Sequence, residues 1–256
     1  MAKMIEILKV TKDKKKFIVE TNEKEYKFSE DVIVEHMVLK GKSFTENEFK
    51  KIIKANEVDE LFNKTLNFIS YQQRSEYEIY SYLKEKGASD SDIHKIIKKL
   101  KDFGYIDDKT LANYLFDYTV RTHKGPRALE KKLHEKRIDN ETSIEVVNKY
   151  TEDIEIDVIE EVLKSILKKN QDKPVKVQKM HAYEKLVRDG FNMDSINRAL
   201  SKVDFIDNSL EQLPKEIEKL NYKYRDLENN KKREKIIASL MRKGYEYSQV
   251  TKYLND

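Results

Sequence analysis

The sequence predicts a mainly α-helical chain: an elongated, curved array of tandem three-helix repeats carrying a small N-terminal β-containing extension. Three observations lead there. The 256 residues are 38% charged and 38% hydrophobic, with six Gly, three Pro and no Trp. Such a mix suits helices that each bury one stripe, rather than one thick core. A corner motif, Leu-x-x-x-Gly with an apolar residue six positions after the Gly, recurs along the chain. Residues 1 to about 44 read differently from everything that follows.

In that first stretch the apolar clusters Met4 to Leu8, Phe17 to Val19, Tyr26/Phe28 and Val32 to Val34 are short, rich in β-branched and aromatic residues, and separated by polar turns. They predict a small antiparallel sheet. Thr45-x-x-Glu48 is a capping-box pattern, in which the Thr oxygen takes a free backbone N–H and the Glu reaches back; it opens a short helix over Glu46 to Lys54.

The repeat begins after that. Leu83 to Ile93, Leu186 to Ile196 and Leu240 to Val250 share the corner motif, and Leu133 to Ile144 keeps the Leu with Arg137 at the glycine position. Positions 87, 137, 190 and 244 are 50, 53 and 54 residues apart. Leu packs in the last turn of one helix, Gly takes the left-handed conformation that ends it, and a polar residue caps the next. A further helical segment precedes each corner, at about 56–71, 107–122, 153–170 and 207–229, which makes each unit a three-helix repeat. Tyr105-Ile106-Asp107-Asp108 and Phe205-Ile206-Asp207-Asn208 mark matching junctions, and Pro126 and Pro174 sit where a first helical turn tolerates proline. The expected divisions are therefore 1–55 for the extension with its short helix, then repeats over 56–104, 105–151, 152–204 and 205–256. A unit this small buries little alone, so neighbours are expected to stack and complete its core.

Catalytic signatures are missing. His36, His94, His123, His134 and His181 never fall at the spacing that sets two metal ligands on one helix face, cysteine is absent, and no Gly-rich phosphate loop or nucleophile elbow occurs. Neither a cofactor nor a metal is expected, and the chain reads as a binder rather than an enzyme. No signal-peptide pattern and no run of about 18 apolar residues is present, so a cytoplasmic protein without membrane contact is expected.

Net charge is only +4, but its distribution is uneven. Residues 121–138 hold seven Lys or Arg against two Glu, while 139–161 hold nine acids against Lys149 alone. Arg127, Lys131 and His134 share one helix face and Leu129 and Leu133 the other. This is either a solvated face or a contact surface for an anionic partner. The segment NNKKREK at 229–235 poses the same choice more weakly. Tyr71, Tyr77, Tyr80 and Tyr82, beside Arg74, fit half-buried core or base stacking.

Arg74-Ser75-x-x-Glu78, Leu83-x-x-Lys86-Gly87, Gly104-Tyr105-Ile106-Asp107-Asp108, Ala112, Tyr114, Arg121 and Lys124-Gly125 together resemble the regulatory protein RecX family, modulators of the RecA recombinase. The motifs are most specific over about residues 74–137. The N-terminal extension, four units and overall length resemble the longer form of that family, so the likeness covers essentially the whole chain. It implies a non-enzymatic regulator that binds the RecA nucleoprotein filament and limits its growth, strand exchange and the DNA-damage response; the chain itself is expected to be a monomer. Some members of the family also bind DNA directly, single- or double-stranded, which leaves an autonomous DNA-binding protein as the alternative. Arg74, Arg121, Lys124, Arg127, Lys131 and Arg137 are the residues expected to touch the partner. One departure stands out: where the family has a Lys-Gly-Ile-like corner this chain has Lys136-Arg137-Ile138, and an arginine resists left-handed backbone.

Overall fold

The computed structural model describes residues 3–255. Strands β1 (Met4–Asp13), β2 (Lys16–Thr21), β3 (Glu25–Phe28) and β4 (Ser43–Thr45) form one antiparallel sheet in the order β3-β2-β1-β4. Alternation sets the buried face: Ile5 and Ile7 on β1, Val19 on β2 and Phe28 on β3 point to one side. The expected sheet is present, with one difference. Val32 to Val34 lie not in a strand but in a short helix, α1 (Glu30–Glu35), because the Ser29 hydroxyl accepts from the Val32 N–H and two acids occupy the first turn. Val32 and Ile33 then close the core with Val38, Phe49 and Ile52.

The capping box forms as read: Thr45 N–H donates to Glu48 at 2.8 Å, and Glu48 N–H to the Thr45 hydroxyl at 3.3 Å. The helix it opens, however, does not end at Lys54. It runs on as α2 (Glu46–Ser70), 25 residues and about 37 Å long. Nothing near Ala55 breaks it, and Asn56, a poor helix former, is used for its side chain. Buried against the extension, its amide donates to Lys27 O and accepts from Ser29 N–H, at 3.1 and 2.9 Å. One helix thereby serves two cores, Phe49 and Ile52 for the sheet and Phe62 for the first repeat.

The repeats follow in order: α3 (Glu76–Glu85) and α4 (Asp90–Asp102); α5 (Asp108–Arg121), α6 (Pro126–Glu135) and α7 (Asn140–Asn148); α8 (Glu152–Asn170), α9 (Val175–Arg188) and α10 (Met193–Ser201); α11 (Ser209–Lys223), α12 (Asn229–Arg242) and α13 (Tyr247–Asn255). At each glycine corner the residue after the Gly donates back to the motif leucine, as Ala88 does to Leu83 O at 3.0 Å, Phe191 to Leu186 O at 3.2 Å and Tyr245 to Leu240 O at 3.2 Å. These are Schellman closures, and all three leucines are fully buried. Gly87, Gly190 and Gly244 carry φ of 80, 90 and 92°; Arg137 adopts 55°, so the second repeat keeps the corner without the glycine.

The chain divides into two compact units, Met1–Leu111 with Lys136–Ile138, and Ala112–Glu135 with Asp139–Asp256. The first holds the sheet core and a cluster built on Ile79, Leu83, Ile93 and Leu100. In the second, one cluster gathers Ile159, Leu163, Leu186 and Ile196, and another Leu213, Ile236, Leu240 and Val250. No helix among the described residues is long and apolar enough to cross a membrane.

Candidate functional site

The basic segment is sorted by what α6 does with each side chain. Pro126 opens the helix, and Leu129 and Leu133 are buried beneath it. Arg127 and Lys131 must then point outward. Arg127 is exposed and meets no carboxylate among the described residues; Lys131 is 78% exposed and only loosely paired with Glu135, at 3.8 Å.

Lys124 is different. It precedes Gly125, whose N–H donates to Asp189 O at 2.8 Å while Arg127 N–H donates to Gly190 O at 3.0 Å, so the start of α6 docks on the corner that ends α9. A side-chain carbon on Gly125 would overlap the backbone of Gly190 and Phe191, and one on Gly190 would lie 2.7 Å from Ala128 N. Across this seam Lys124 reaches the Asp189 carboxylate at 2.6 Å, joined there by Lys185 at 2.7 Å. Burial works to raise the Asp189 carboxyl, whose side chain is 5% exposed, but the two ammonium groups outweigh it and hold it below its ordinary value. Tyr150 closes the loop, its hydroxyl donating to Lys124 O at 2.7 Å. Lys124, expected at a partner surface, is thus held in an ion pair within the second unit while remaining partly exposed.

Arg74 is committed too. Its guanidinium lies 4.2 Å from the Phe68 ring centroid and donates to Glu78 at 3.2 Å. Glu78 also accepts from Lys136 at 2.8 Å and, through its other oxygen, from the Ser75 N–H. Burial pushes the Glu78 carboxyl up, yet Lys136, the Ser75 N–H and Arg74 together keep it below the usual range. Arg137, next to Lys136, is exposed with its guanidinium 5.3 Å from the Tyr77 ring. Arg121 is exposed at the end of α5 and shares the Tyr118 ring with Lys132, at 5.9 and 3.9 Å; burial lowers the Lys132 ammonium.

Of the six expected residues, then, Arg121, Arg127 and Lys131 are exposed cations of the second unit, Arg137 is one of the first, and Arg74 and Lys124 are structural. Asp189, which decides the fate of Lys124, lies 65 residues away from it. No local periodicity in the sequence points to such a pair.

The comparisons with known proteins agree with this architecture. Two family models match: RecX, first three-helix domain, over residues 62–100, and RecX, third three-helix domain, over 207–254. The regulatory protein RecX of Listeria monocytogenes serotype 4a is 31% identical over 252 residues, covering 96% of this chain and 93% of its own length. That of Bacillus velezensis is 32% identical over 259 residues, with 98% of each chain covered. A crystal structure of regulatory protein RecX superposes with a TM-score of 0.64 at 21% identity, over 77% of this chain and the whole of that one. RecX from Lactobacillus salivarius gives 0.54 at 24%, covering 59% and 99%. With relatives at this identity aligned along nearly its entire length, the chain belongs to the RecX family of regulatory proteins.

Proposed function

We propose that this protein is a non-catalytic, cytoplasmic regulator that binds, as a monomer, the RecA filament assembled on single-stranded DNA and limits filament growth, strand exchange and the DNA-damage response. The observation that carries the reading is α6: Arg127 and Lys131 project to solvent from a helix anchored by Leu129 and Leu133, with no buried carboxylate to neutralise them. Arg121 adds a third exposed cation from the end of α5. Each such charge alone is worth about 1 kcal/mol or less, but several acting on one anionic surface add up and respond to salt.

The test is the DNA-dependent ATPase of RecA on single-stranded DNA with the protein titrated in. The parent lowers hydrolysis as filaments are lost. Arg127→Glu with Lys131→Glu keeps the helicity and melting of the parent, since both side chains are exposed, and weakens inhibition at least about tenfold, roughly 1.4 kcal/mol. Full inhibition by the double variant at low and moderate salt sinks the assignment of this face; an ATPase rate untouched by saturating parent protein sinks the function itself.

A further inference from the structure

Half of the aromatic side chains between residues 56 and 105 are covered, wholly or in part. Tyr82 stacks on Phe68 with centroids 4.3 Å apart, Arg74 covers Phe68, and Phe62 is buried. Phe103, Tyr105 and Tyr77 are among the exposed ones. Phe103 caps the end of α4, Gly104 turns the chain at φ 70°, and Tyr105 N–H closes the corner on Leu100 O at 2.9 Å. That turn leaves Phe103 61% and Tyr105 55% exposed, with ring centroids 6.1 Å apart in an edge arrangement. Tyr77, in the first turn of α3, is exposed as well and carries the Arg137 guanidinium 5.3 Å from its ring centroid. Glu76 brings the two pairs to the same end of the unit: its carboxylate pairs with Lys101, one turn before Tyr105, and its N–H donates to Asp108 at 2.9 Å.

Single exposed aromatics such as Tyr71 and Tyr222 are ordinary, but three rings held out at one end of a small repeat make a patch that a partner can bury. The charge there points to phosphate. Lys98 and Arg137 are exposed and, among the described residues, not ion-paired, whereas Glu76 is held by Lys101, and Asp107 by the Thr110 hydroxyl and the Lys109 N–H. Asp102 is exposed, with no such partner among the described residues. Aromatic faces and a flat guanidinium beside free cations suit one chemistry above others: nucleotide bases stacked on the rings, their phosphates met by Lys98 and Arg137. A duplex offers no free base faces, so only an unpaired strand can use all of it.

We propose that this end of the first unit, comprising Tyr77, Phe103, Tyr105 and Arg137, is a stacking platform for the bases of single-stranded DNA. It deepens the role expected of Arg137 but stands apart from the Arg127 and Lys131 reading, because it predicts recognition of bases rather than of charge. The experiment uses the full-length protein without RecA and fluorescence anisotropy of three labelled probes: an oligothymidylate, an abasic sugar-phosphate strand of equal length, and a duplex. The oligothymidylate binds at least about tenfold more tightly than the abasic strand, a difference of roughly 1.4 kcal/mol, and more tightly than the duplex. Tyr77→Ala with Phe103→Ala brings the oligothymidylate down to the abasic level without changing the abasic affinity, and Tyr77→Phe alone retains the preference. Arg127→Glu with Lys131→Glu weakens both strands by the same factor, so failure of one reading is distinguishable from failure of the other. Equal binding of oligothymidylate and abasic strand by the parent, or preference for the duplex, overturns the platform. So does a double variant that keeps the preference but loses filament inhibition, which assigns the patch to a protein partner. If the double variant melts below the parent, the parent's own ratio of the two affinities decides.

Discussion

At Glu78 one carboxylate serves three partners: the Ser75 N–H at the start of α3, the Arg74 guanidinium and the Lys136 ammonium. Because its pKa is depressed in the folded chain, its contribution is present above the ordinary carboxylate value of about 4.3 and is lost as pH falls through the lower native value. Glu78→Gln therefore lowers the thermal midpoint at pH 7, and the gap to the parent closes as pH drops below about 4. The Asp189 carboxylate between Lys124 and Lys185 follows the same sign, so Asp189→Asn costs about 2 kcal/mol near neutrality in urea unfolding, shrinking in acid. Arg137 tests backbone strain directly. With φ at 55°, Arg137→Gly relieves a left-handed penalty of about 1 kcal/mol, against a smaller loss from the Tyr77 contact, and raises stability; Arg137→Ala keeps the strain, loses the ring and lowers it.

Among the elements, the glycine corners look alike in sequence but differ in what surrounds them. Gly87 has φ 80° and open space around a would-be side chain, so Gly87→Ala carries only the conformational cost of about 1 kcal/mol. Gly125 lies outside the left-handed region but has no room at all. Gly125→Ala must pry the start of α6 from the α9 corner, and urea unfolding should show a loss of about 2–3 kcal/mol. The sequence displays the Gly87, Gly190 and Gly244 corners through a fixed local spacing, and it displays the Thr45–Glu48 cap the same way. It could not display the Gly125 seam, which depends on a segment 65 residues away. It misled over α1, where β-branched Val32, Ile33 and Val34 suggested a strand and the Ser29 cap prevailed. It misled again at Ala55, where no breaker separates the two cores that α2 serves. The α6 face was legible from its periodicity, since alternation with Leu129 and Leu133 fixes which cations are outside; the diversion of Arg74 and Lys124 to Glu78 and Asp189 was not.

For the molecule as a whole, the distribution of apolar clusters predicts independent local stabilities. Phe49 and Ile52 on α2 depend on the N-terminal sheet, whereas Leu213, Ile236 and Leu240 belong to a cluster with no residue from it. Removing residues 1–44 should speed amide hydrogen exchange in the first two turns of α2 by at least about tenfold and leave α11 to α13 unchanged. Uniform deprotection along the chain would instead mean a single cooperative core. The seam between Gly125 and Gly190 has a further consequence for how such a chain can vary over generations. Both partners already have the smallest side chain there is, and the nearest atoms a side chain would meet, Gly190 and Phe191 for Gly125 and Ala128 N for Gly190, are main chain, which no codon alters. A substitution at one site has no second-site substitution at the other to rescue it. The two positions are therefore expected to drift neither singly nor as a pair, while lysine and aspartate beside them remain free to be exchanged for another well-matched couple.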